Sequence, residues 1–188
     1  RLVLWATLLG VLLALVAIPN FGLDAASLRS HLSDALSSML QVKTGAADAQ
    51  AAARGKRFVE FMVAVVPPAA AVAATVTNVL NLWLAGRVVK FSGRLARPWP
   101  DLPAMTFPPL AAAALAVALA VSFAGGMAGI VAGVVTAALV MAYGILGFAV
   151  LHAITRGQPS RAFLIGGIYA SVLVFGWPVL MLSLLGLA

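Results

Sequence analysis

The stretch Phe58–Arg97 reads FVEFMVAVVPPAAAVAATVTNVLNLWLAGRVVKFSGRLAR. It joins an apolar run long enough to cross a bilayer, a double proline, a polar cluster and a basic segment. Few environments accept all four. An amide in hydrocarbon must find a partner, and a proline inside a helix strips carbonyls of theirs, so such a run belongs among neighbouring helices or around a polar cavity.

Composition places the rest of the chain in the same setting. Of 188 residues, 63% are hydrophobic and 9% charged, against roughly 25% charge in soluble domains. A water-soluble core of this size cannot hide that much apolar surface. The apolar runs are apolar on every face, which excludes the alternating pattern of a membrane barrel and predicts helices. The expected fold is an all-α, polytopic transmembrane bundle forming one domain, with spans near 2–18, 60–85, 108–123, 127–151 and 163–187. An amphipathic helix near 25–41 is expected beside them.

The first span, Leu2–Ile18, ends at Pro19, Asn20 and Gly22. Ala6, Gly10 and Ala14 line one of its faces at the four-residue spacing that lets helices approach closely. With no Met at the first position and no cleavage site, Arg1 reads as the internal start of a longer protein. Asp24 is a suitable N-cap for the amphipathic segment. Its Leu28, Leu32, Leu36 and Leu40 stripe opposes Ser30, His31, Ser33 and Asp34, as in a helix lying at the headgroups or covering the mouth of a bundle.

In the second span, Pro67 and Pro68 predict a hinge that leaves carbonyls around Met62–Ala64 without their usual partners. Thr75, Asn78 and Asn81 follow at three-residue steps and form one polar face. That face serves either interhelical hydrogen bonds or a ligand. Arg87, Lys90, Arg94 and Arg97 come next, with no acid before Asp101, and read as a short helix on lipid headgroups. Trp99 and Phe107 suit the same interface. Nucleic acid is not an expected partner, because the basic motif is short and its setting membranous.

Gly125, Gly129, Gly133 and Ala137 repeat every four residues in the fourth span, a groove for close helix contact. The last span offers Gly166, Gly167, Ala170 and Ser171 as a matching face, then a kink at Gly176-Trp177-Pro178. Counting charges by side, Arg1, the basic segment and Arg156/Arg161 give seven Lys/Arg against five elsewhere. The positive-inside rule then puts Arg1 in the cytoplasm.

At Asn78–Arg87, NVLNLWLAGR, and Gly147–Gly157, GFAVLHAITRG, the chain resembles the YybS-like family of bacterial multi-pass membrane proteins, a likeness that continues into GWPVLMLSLLGLA. That family is distantly related to the substrate-capture subunits of energy-coupling-factor vitamin transporters. The resemblance implies an inner-membrane location and a role in holding a solute near one membrane face, with no established catalytic residues to carry over. Within the spans only Glu60 and His152 are close ionisable groups, so a small neutral solute is expected. The second expectation is a structural subunit that docks by its small-residue faces onto other membrane-protein subunits. An enzyme is not expected: these residues contain no intramembrane Asp pair, Ser/His arrangement or HExxH. With no Cys there is no thiol chemistry, and neither metal nor cofactor is expected.

Overall fold

A computed structural model describes residues 2–22, 24–40, 49–94 and 105–188. All regular structure among them is helical: α1 (Leu2–Ala17), α2 (Ala25–Met39), α3 (Ala49–Phe91), α4 (Pro109–Ser122), α5 (Gly126–Ile154), α6 (Arg161–Phe175) and α7 (Pro178–Leu187), with a 3-10 turn at Ile18–Asn20 after α1. Three helical stretches, Leu2–Asn20, Gln50–Phe91 and Gly126–Ile154, are long and apolar enough to cross a membrane; α4, α6 and α7 are shorter apolar helices.

The central element is α5, which packs against α1, α2, α3, α4 and α7. One core cluster joins Val11, Ala71, Val134 and Ala138 from α1, α3 and α5. A second joins Ala111, Tyr143 and Leu146, with Leu4 and Phe107 packed on it. Phe107, expected at an interface, sits edge-on to Tyr143 with centroids 5.2 Å apart. Large apolar side chains such as Trp5, Leu13, Val117 and Leu173 are exposed, the outward face a helix presents when lipid is its solvent.

Three expectations need correction. The helix of the second span does not stop before the basic segment: α3 runs unbroken for 43 residues, through Pro67 and Pro68 and on to Phe91. Nothing between Trp83 and Phe91 breaks a helix. It ends where Gly93 takes φ +68°, its N–H donating to the Lys90 carbonyl and the Arg94 N–H to the Val89 carbonyl, a Schellman closure. Arg87 and Lys90 therefore lie on α3 and Arg94 just beyond it, while Arg97 and Trp99 lie outside the described residues.

The last apolar run is two helices and not one kinked span. Gly176 caps α6 with φ +71°, and Pro178 occupies the first turn of α7, where its missing N–H costs nothing.

The expected small-residue match between α5 and the last run is displaced as well. Gly166 and Gly167 of α6 face open space, whereas a Cβ on Gly147 would overlap the Leu182 carbonyl and one on Gly186 the Tyr143 carbonyl. It is α7 that meets the α5 backbone. α6 buries no residue and touches α5 through Tyr169, which stacks on Phe148 at 4.5 Å.

Candidate binding groove between α2, α3 and α5

Each wall of the groove follows from local sequence. The start of α2 is fixed by Asp24, whose carboxylate accepts hydrogen bonds from the Ala26 and Ser27 amides at 2.8 and 2.7 Å. The Ser27 backbone bond is the main cause of a carboxyl pKa held below its ordinary value. His31 Nδ1 meets the Phe21 carbonyl, tying α2 back to the turn after α1. Leu28, 2% exposed, and Leu32 bury into the bundle, which leaves Arg29, Ser30 and Ser33 along the groove edge.

The opposite wall is Glu60, Val63, Ala64, Pro67 and Pro68 of α3, a set spaced so as to share one helix face. Pro67 and Pro68 have no N–H to offer the carbonyls four residues earlier. Those carbonyls belong to Val63 and Ala64, so the acceptor-rich turn is part of the groove wall. Gly125, Gly126, Gly129, Ile130 and Gly133 form the floor. A side chain on Gly133 would meet nothing within 4 Å, while Gly129 rests on the Ser122 carbonyl. The groove exists because this face of α5 lacks side chains. Its volume is about 630 Å³.

An apolar groove of about 300 Å³ adjoins it, sharing Gly133 and Ser122 and walled further by Val72, Ala137, Val140, Met141, Val179 and Leu180. Thr136 lines this part, and its hydroxyl oxygen is buried without a hydrogen-bond partner.

The structure places the residues expected at a ligand elsewhere. Thr75 is fully buried, with Gly10 against its backbone and hydroxyl. Asn78 donates its side-chain amide to the Ala6 carbonyl at 3.3 Å. Asn81 is exposed. Thr75 and Asn78 thus meet α1, and neither groove is lined by any of the three. The Ala6/Gly10 face is turned to α3 of the same chain, with Ala14 packed beside the first core cluster. By contrast Pro67, Pro68 and the Gly125/Gly129/Gly133/Ala137 row do border the grooves. Sequence reasoning missed Arg29, and placed Ser30 and Ser33 only on the polar face of a helix at the headgroups or over the mouth of a bundle. The readable signal was the row Glu60, Val63, Ala64, Pro67, which extends the proline face up to a carboxylate.

At the other end of α3, the Arg87 guanidinium lies 5.5 Å from the Trp83 ring centroid and 5.4 Å from that of Phe91, an arrangement that suits a cation held at headgroup level. Among the described residues no group of three or more His, Cys, Asp or Glu is gathered as a metal site would require. No protein-family model, curated protein or solved structure matches this chain, and the groove is read from its own residues.

Proposed function

We propose that the chain is a multi-pass protein of the bacterial cytoplasmic membrane that captures a small solute in the groove between α2, α3 and α5, as part of a transport system. One observation carries the reading: a groove opening beside Arg29 and Glu60 is walled by a proline-stripped helical turn and floored by glycine. Backbone acceptors and hydroxyls suit a ligand bound by hydrogen bonds, with few fixed charges to neutralise. The resemblance to the YybS-like family accords with this role.

In this reading α1, α3, α4 and α5 make four crossings, α6 enters from the far side, and α7 lies across α5 between Tyr143 and Gly147. α2 lies in the headgroup region with His31 and Asp34 outward. With the Phe91 end of α3 in the cytoplasm, the groove opens on the outer face. Native mass spectrometry of protein extracted from its own membrane tests the reading: a small molecule should co-purify, and its loss is expected in a Pro67→Ala/Pro68→Ala variant. Protein that carries nothing from its membrane, and takes up nothing from a solute library, would refute it.

A second reading, a structural subunit, is favoured by the bare Gly166/Gly167 face of α6. Gly166→Leu with Gly167→Leu should then release the chain from a larger membrane complex.

A further inference from the structure

We propose that the solute is a membrane lipid: the two adjoining grooves hold one phospholipid with an ethanolamine-type headgroup at the mouth and an acyl chain along the glycine face of α5. The inference rests on the capture reading above and names its ligand class. Three observations point to it.

The first is length. From Gly126 at the mouth to Met141 at the far end of the second groove, α5 rises about 22 Å at ~1.5 Å per residue. One leaflet, half of the ~40–45 Å bilayer with its headgroups, is about 20–22 Å deep. A compact solute would leave most of that length empty.

The second is the change of lining along the way. The mouth carries a cation, Arg29, across from a carboxylate, Glu60, and from the turn holding the two proline-freed carbonyls. The far end is lined by Val72, Val140, Met141 and Leu180. A phosphate complements the guanidinium. A primary ammonium, with three donors, complements the carboxylate and the bare carbonyls; a quaternary choline has none to give.

The third is access. Gly133 lines both grooves and leaves its Cβ position open, so a chain can pass over α5 there without displacing its side chain.

The test is native mass spectrometry of the whole chain in detergent, titrated separately with phosphatidylethanolamine, phosphatidylcholine and phosphatidylglycerol. The expected result is a one-to-one adduct that favours the ethanolamine lipid. Gly133→Leu should abolish it, the matching Gly167→Leu on α6 should retain it, and Glu60→Gln should erase the preference over choline. Equal, multiple adducts with all three lipids, unchanged by Gly133→Leu, would mean annular lipid only and overturn the inference. Retention of a non-lipid solute, with no lipid adduct, would overturn it while sparing the capture reading. Absence of any ligand would overturn both, as would a dimer that Gly133→Leu dissociates.

Discussion

Gly10 of α1 lies so close to Thr75 of α3 that a methyl group added there would stand 3.0 Å from both the backbone nitrogen and the hydroxyl oxygen of Thr75. This is the crossing point of the two helices, one turn from the Asn78 amide on the Ala6 carbonyl. Small residues here bring backbones together, and packing then supplies the attraction that lipid cannot.

Gly10→Val should therefore separate α1 from α3. The backbone atom in the way cannot rotate aside, so an overpacking cost of about 1–3 kcal/mol is expected, read as a lower midpoint in SDS-induced unfolding.

Thr75→Val should do the reverse. The Thr75 hydroxyl is buried and has no hydrogen-bond partner, and valine has nearly the same shape. Removing an unsatisfied polar atom is expected to leave stability unchanged or raise it by about 1 kcal/mol. A clear loss in the same unfolding assay would show that the hydroxyl is satisfied in the membrane.

The two asparagines should separate. Asn78→Leu forfeits an interhelical hydrogen bond, a loss of about 0.6 kcal/mol on the scale of such bonds in membranes. Asn81→Leu, on an exposed position, should have no measurable effect on unfolding. Neither change should alter ligand retention by native mass spectrometry, because both residues lie off the grooves.

Glycines of the C-terminal third should rank by what surrounds them. Gly147→Ala drives a methyl into the Leu182 carbonyl and should displace α7. Gly144→Ala meets only the tip of Val179, 2.9 Å away, and should cost less. At Gly167, with nothing within 4 Å, alanine should stabilise α6 by about 0.5–1 kcal/mol. Thermal aggregation midpoints of the three variants give the order.

Acid should loosen the start of α2. The Asp24 pKa is lowered in the fold, chiefly by the Ser27 amide. Its stabilising contribution is thus complete above the ordinary carboxylate pKa and lost as pH falls through the depressed one. The ¹³Cα shifts of Ala25–Arg29 should move toward coil values over that acid window. Asp24→Asn, which caps without titrating, should hold them constant.

The helical class and the long apolar helices were legible because their signals are local: periodicity, uniform hydropathy and the cap at Asp24. The proline-stripped turn at Val63–Ala64 was legible for the same reason, since a missing N–H is a covalent fact. What could not be read was which partner each small face would choose. Ala6 and Gly10 announce a close approach without saying that α3 supplies the other backbone. The Gly129/Gly133 row looks like a docking face, yet at Gly133 it borders open space. Likewise Thr75 and Asn78 satisfy the rule that polar groups turn inward by meeting α1, which spacing cannot distinguish from meeting a ligand. Arg29 joined the site only once α2 was laid across α3.

The length of α3 carries one more implication. Its 43 residues make a rod of about 64 Å, twice what hydrocarbon demands, so hydrophobic matching alone would let it slide along the membrane normal. In a bilayer its depth would be pinned instead by two collars, Lys56/Arg57 at one end and Arg87 between Trp83 and Phe91 at the other. The two collars stand about 45 Å apart along the axis, close to the full span of a bilayer with its headgroups. A thinner membrane would then be met by leaning this rod and not by compressing it. Lipid thickness would thereby act as a lever on the proline turn midway along.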